Sequence, residues 1–136
     1  MTLPAAKGID STALILGGFS NGNDGILIKG NNKTLANLKG KSIHLVANSV
    51  SHYLVDRAMQ IAQLPSESVQ IVTMKENTAA IMFDSTTVDV ISTWNPYLYH
   101  IEQHSNSSRV FDSASIPGEI IDMLVVNTAI LEANPE

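Results

Sequence analysis

Cysteine is absent from this chain, which removes disulfides, thiolate catalysis and cysteine-based metal sites and leaves the redox compartment open. No apolar run approaches the roughly 18 residues that a membrane-spanning helix requires. Basic residues are few, 8 Lys and Arg against 13 Asp and Glu. They form no cluster, so the net charge of −5 gives a nucleic-acid partner little electrostatic support. Internal repeats, charge blocks and low-complexity segments are all missing. The apolar segment from Ala13 to Leu16 is too short for a secretory leader and runs into Gly17-Gly18 instead of a cleavage-type site. The chain as given is therefore expected in the cytoplasm, without membrane insertion. Catalytic signatures are equally scarce. There is no G-x-S-x-G elbow, and Gly17, Gly18, Gly22 and Gly25 have the wrong spacing for a dinucleotide or phosphate loop. No enzyme, cofactor or metal is expected.

What remains is globular. With 136 residues, 44% hydrophobic and 15% charged, the chain is long enough for one domain with a real core and too apolar for disorder. Its organising stretch runs from Lys41 to Met59. Ser42 to Ala47 reads as a buried strand, and Asn48-Ser49-Val50-Ser51 as a polar turn. From His52 a helix of about three turns is expected, with Leu54, Ala58, Ile61 and Ala62 on one face. Such a strand–turn–helix sets unpaired backbone N–H groups and the positive helix end at the carboxyl edge of a sheet. In open α/β sheets that edge binds ligands. Ser49 and Ser51 thus have two readings, helix caps or ligand groups.

Thr2 to Asp10 reads as a short helix or loop, and Thr12 to Leu16 as a strand stopped by Gly17-Gly18. Gly25 to Lys29 is a second strand, and Thr34 caps a brief helix over Leu35 to Leu38. After the central unit come a strand at Val69 to Thr73, a helix near Glu76 to Phe83 and a strand at Val88 to Thr93. Asn95-Pro96 opens a helix from Tyr97 to about Gln103. Strands at Arg109 to Phe111 and Ile120 to Val126 follow, and Thr128 is expected to cap a last helix. Strands alternating with helices argue for a three-layer α/β fold: a mostly parallel sheet with helices on both faces.

Three polar turns stand at strand ends: Ser20 to Asp24, Asn48 to His52 and Thr93 to Tyr97. The third holds Trp94, the only tryptophan, placed where an aromatic can close over a small ligand or simply pack in the core. His100 and His104 are spaced to share a helix face, but no matching carboxylate pair accompanies them. His44 reads as a satisfied core or edge residue.

Several segments, in order along nearly the whole chain, carry a resemblance. FSNGNDGILIKG, LANLKGKSIHLVANSVSHYLVDRAM, VDVISTWNPYL and PGEIIDMLVVNTAILEANPE resemble the substrate-binding proteins of nitrate/sulfonate/taurine-type ABC transporters, which have the type 2 periplasmic-binding fold. That family has two α/β lobes joined by crossing strands, with ligand clamped between them, and works with an ABC permease. The chain resembles a single lobe, roughly 25–126, with 1–24 and 127–136 as remnants of the partner lobe. Departures are local: Thr86-Thr87 stands where the family usually has glycine, and Asn23 and Gly25 replace alanines around Asp24. The resemblance implies ligand contacts from Ser20 and Asp24, from Asn48, Ser49, Ser51 and His52, and from Thr93, Trp94 and Asn95. It also implies that the crossing strands Gly25 to Lys29 and Leu124 to Asn127, with the apolar strand near Leu14, lack cover and favour a homo-oligomer such as a dimer. The expected function is non-enzymatic binding of a small polar or anionic ligand. Two alternatives are an orphan interaction domain with a vestigial pocket and an enzyme resembling thiamine-pyrimidine synthases; the lack of cysteine argues against the second.

Overall fold

The computed structural model describes residues 7–75, 78, 81, 83 and 87–134. The helix expected near Glu76 to Phe83 lies largely outside the described residues, as does most of the Thr2 to Asp10 segment. Among the described residues, seven strands divide into two sheets. β1 (Ser11–Phe19) pairs antiparallel with β7 (Ile121–Asn127) as a two-stranded ribbon. The other five, β2 (Asp24–Lys29), β3 (Ser42–Leu45), β4 (Gln70–Thr73), β5 (Val90–Trp94) and β6 (Ser107–Asp112), form one sheet in the order β4-β3-β5-β2-β6. β3 is parallel to β4 and β5, while β2 is antiparallel to β5 and β6. Four strands therefore run one way and one against them.

Helices cover both faces of the five-stranded sheet. Strand alternation sends Ile26, Ile28 and Val90 to one face, where α1 (Val50–Ile61) buries Leu54, Val55, Ala58 and Met59. Leu27 and Ile91 face the other way, onto Leu98 and Ile101 of α2 (Tyr97–His104). Burying such side chains contributes about 1.5–3 kcal/mol each. A short α3 (Thr128–Ala133) follows β7. The buried stripe of α1 is 51/54/55/58/59, so Ile61, expected on the inner face, stands 49% exposed.

Four expectations are corrected. Gly17 and Gly18 do not stop β1; the strand runs through them with register shifts at Ala13/Ile15 and Leu16/Gly18. A Cβ on Gly17 would sit 3.2 Å from the Asp122 carbonyl oxygen, so glycine there lets the partner backbone approach. Gly25 to Lys29 is no uncovered crossing strand: it is internal to the sheet, with Ile26 and Leu27 at 0% exposure. The uncovered apolar strands are β1 and β7, exposing Leu14, Ile15, Leu16, Phe19 and Leu124. Asn127, not Thr128, caps α3, its side chain accepting from the Ala129 and Ile130 amides. His44 is not satisfied among the described residues, where its buried Nδ1 has no hydrogen-bond partner.

Candidate functional site

The three polar turns lie at one edge of the five-stranded sheet, where β3 and β5 end and the antiparallel β2 begins. Their coupling is visible in single bonds. Asn95 N–H donates to the Asn23 carbonyl at 2.9 Å, joining the first turn to the third. Ser92 Oγ donates to the Ser51 carbonyl at 3.0 Å, joining β5, just ahead of the third turn, to the second.

In the first turn Ser20 donates to the Asp24 carboxylate. Ser20 Oγ also lies 2.8 Å from Ser113 Oγ, which accepts from Gly22 N at 2.8 Å and lies 3.5 Å from Asp24 N. A carboxylate only accepts, so Ser20 spends its single proton on Asp24 and Ser113 supplies the proton between the hydroxyls. Ser113, fully buried, thus accepts from the turn backbone and donates into it. Arg109 adds a second brace: Nη1 donates to the Gly22 carbonyl at 3.1 Å, while Nε and Nη2 grip Glu102 of α2 at 2.8 and 2.7 Å. Neither residue was identified from sequence; an Arg on a short expected strand and a Ser in the loop expected after it give no signal until β6 is paired beside β2.

The second turn is a built helix start. Asn48 takes the left-handed conformation at φ 58. Ser49 is the N-cap: its Oγ accepts from Ser51 N at 3.2 Å and donates to the Val46 carbonyl at 2.6 Å. The Ser49 carbonyl takes the His52 and Tyr53 amides, leaving the Val50 amide as the first-turn donor with no partner among the described residues. An anion at this helix end would meet that amide and compete with Ser49 Oγ for the next. Ser51 is buried and its Oγ has no partner among the described residues, while His52 is half-buried. In the third turn Thr93 is 1% exposed and alternates onto the α2 face, whereas Ser92 and Trp94 share the α1 face. Trp94 and Tyr97 stack edge to face at 6.2 Å and 79°. Asn95 stands just before Pro96, the N-cap of α2, and its Oδ1 accepts from Tyr99 N in the first turn at 3.0 Å.

The loop entering β7 is fastened separately. Arg57 of α1 grips Glu119 with Nε at 2.6 Å and Nη2 at 2.8 Å, and Tyr53 donates to the same carboxylate at 2.6 Å. These bonds, Arg57 first and Tyr53 second, lower the Glu119 carboxyl to about 2. On α2, His100 and His104 stack at 4.3 Å, and His104 Nδ1 lies 2.8 Å from the His100 carbonyl oxygen. A shallow hollow of about 220 Å³ lies at the opposite, amino edge of β3 and β4, between 40–42 and 67–70.

The model of the NMT1/THI5-like family matches residues 21–136. The chain belongs to that family. A Brucella abortus relative, named only as a binding protein, is 26% identical over 141 residues, covering 98% of this chain and 42% of its own. The periplasmic aliphatic sulphonate binding protein of Escherichia coli superimposes with a TM-score of 0.83 at 23% identity, over 97% of this chain and 46% of that one. The alkanesulfonate-binding protein of Xanthomonas axonopodis pv. citri, bound to MOPS, gives 0.79 at 18% identity over 94% and 45%. The fold is thus that of one lobe of a periplasmic-binding protein, and the chain resembles ABC solute-binding proteins. It spans less than half the length of these relatives. Among the described residues no helix is long and apolar enough to cross a membrane.

Proposed function

We propose that the chain is a non-enzymatic binding module for a small polar or anionic solute, held at the sheet edge that carries the three turns. The supporting observation is that edge itself: a twelve-residue helix begins there, flanked by a tryptophan and by two turns bonded to each other. The acid group would meet the Val50 and Ser51 amides and the Ser49 hydroxyl. Trp94 would form the apolar wall, with Ser20, Asp24, Asn48, His52 and Asn95 at the rim. Ser51 and Thr93, both buried, would hold the shape beneath. By analogy with the relatives' sulfonates, the solute would be handed to an ABC permease. Calorimetric titration with ethanesulfonate, 2-aminoethanesulfonate, nitrate and a pyrimidine tests the reading. It expects saturable binding of at least one anion, abolished by replacing Ser49 with proline. No heat with any of them refutes it.

A second reading, an interaction domain, is favoured by the apolar β1–β7 ribbon, because an isolated two-stranded ribbon is marginal in water without a covering layer. It predicts self-association with no response to any solute.

A further inference from the structure

His100 and His104 stand four residues apart on α2, both exposed, and residues so spaced face each other across one helical turn. Their rings are already together, with centroids 4.3 Å apart and planes at 27°. His104 Nδ1 lies 2.8 Å from the His100 carbonyl oxygen. A carbonyl only accepts, so Nδ1 carries the proton and the lone pair of the neutral ring is on Nε2. Metal-ligating histidines make this same bond: one ring nitrogen donates to a backbone carbonyl and the other is left for the ion. Closing the last helical turn would use His104 alone; it gives the stacked His100 ring no part. His104 is also the final residue of α2, where the helix dipole favours positive charge. The backbone beneath the pair is held on its flanks. Leu98 and Ile101 are buried against the sheet, and Arg109 of β6 grips Glu102. Ser105 closes the turn on the Ile101 carbonyl, with its N–H at 2.9 Å and its Oγ at 2.7 Å. Nitrogens bound side by side to one ion at about 2.0–2.1 Å stand about 3 Å apart, a spacing that two stacked rings reach by tilting while the helix stays still.

We propose that His100 and His104 form a two-imidazole clasp for a divalent first-row transition ion, with Cu²⁺ preferred over Ni²⁺ and Zn²⁺. Among the described residues no third His, Cys, Asp or Glu joins them, so water completes the coordination sphere. Nitrogens and oxygens in a square or tetragonal arrangement are the set that Cu²⁺ takes. Mg²⁺ and Ca²⁺ demand oxygen ligands and are refused. The clasp is separate from the sheet edge that carries the three turns and does not depend on the solute reading. α2 leads away from the third turn for about 12 Å. The loop after it meets the far end of β2, where Gly30 N–H donates to the Asn106 carbonyl at 2.9 Å.

The test is calorimetric titration of the full, tag-free, chelator-washed chain with Cu²⁺, Ni²⁺, Zn²⁺ and Mg²⁺. One ion per chain should bind, Cu²⁺ tightest and Mg²⁺ without heat. His100→Gln and His104→Gln should each weaken Cu²⁺ at least about tenfold, because a lone imidazole cannot chelate. The double variant His100→Gln/Gln103→His keeps two imidazoles in the last turn but at adjacent positions, which do not face each other; it should bind as weakly as the single variants. Thermal melts verify that each variant folds. In the wild-type chain, Cu²⁺ below one equivalent should broaden the amide signals from Tyr99 to Ser105 and leave Gly22 and Val50 sharp. Single variants with wild-type affinity overturn the clasp, as does a rearranged pair that binds like the wild type. Broadening centred on His44 or His52, or no Cu²⁺ binding at all, overturns it too, and none of these outcomes bears on solute binding at the sheet edge.

Discussion

Replacing Ser113 with alanine should destabilise the chain by about 2–3 kcal/mol. The hydroxyl is fully buried and fills its bonding capacity with two acceptances and one donation. Its loss strips Gly22 N–H and Ser20 of 2.8 Å partners and Asp24 N–H of a longer, 3.5 Å one. A buried polar group left unpaired costs about 1–3 kcal/mol. Gly22 is half-buried and can recruit water, so it sits at the low end, and the long Asp24 contact adds little. Ser20 keeps Asp24 as an acceptor but loses its donor. Urea unfolding should show the midpoint lowered at constant slope, with the melting temperature down by about 5–12 °C. The Gly22 amide should exchange faster than in the wild type. A loss under about 0.5 kcal/mol, or unchanged Gly22 exchange, would refute the assignment of Ser113 as the pivot of the first turn.

The Glu119 clamp gives a pH signature. Its folded carboxyl is lowered from 4.5 to about 2, so its contribution is full above about pH 4.5 and disappears as pH falls through about 2. Glu119→Gln should flatten that acid limb of the stability curve, and an unaltered limb would place the acid sensitivity elsewhere. Light scattering should report twice the monomer mass for the wild type, with Leu14→Lys/Leu16→Lys returning it to monomer; a wild-type monomer would show that the exposed ribbon tolerates water. Gly17→Val should destabilise by about 1–3 kcal/mol, since its Cβ meets the Asp122 carbonyl at 3.2 Å and the ribbon must open to admit it; neutrality would mean that the glycine is not needed for close approach.

Local chemistry made much of this architecture readable in advance. The period change at His52 gives α1, Asn95-Pro96 precedes α2, and Ser49 is the cap its position suggests. What sequence could not supply was pairing. Gly25 to Lys29 is apolar whether it bridges lobes or fills a sheet, and only its place between β5 and β6 decides. Gly17-Gly18 signals a break in isolation, yet serves as a close crossing once β7 lies alongside. The same holds at the edge. Ser20 and Asp24 were visible as a polar turn, whereas Ser113 and Arg109 lie some ninety residues away and act only through the β2–β6 register. The separation of Thr93 from Trp94 onto opposite faces likewise follows from the strand and not from the turn.

The most direct test of the central claim is a map of amide chemical shifts on adding 2-aminoethanesulfonate to the isotopically labelled chain. Binding at the sheet edge predicts concerted, saturable shifts at Gly22, Asp24, Val50, Ser51 and Trp94, with the 40–42 and 67–70 hollow silent. Shifts confined to that hollow, or to the β1–β7 ribbon, would contradict it.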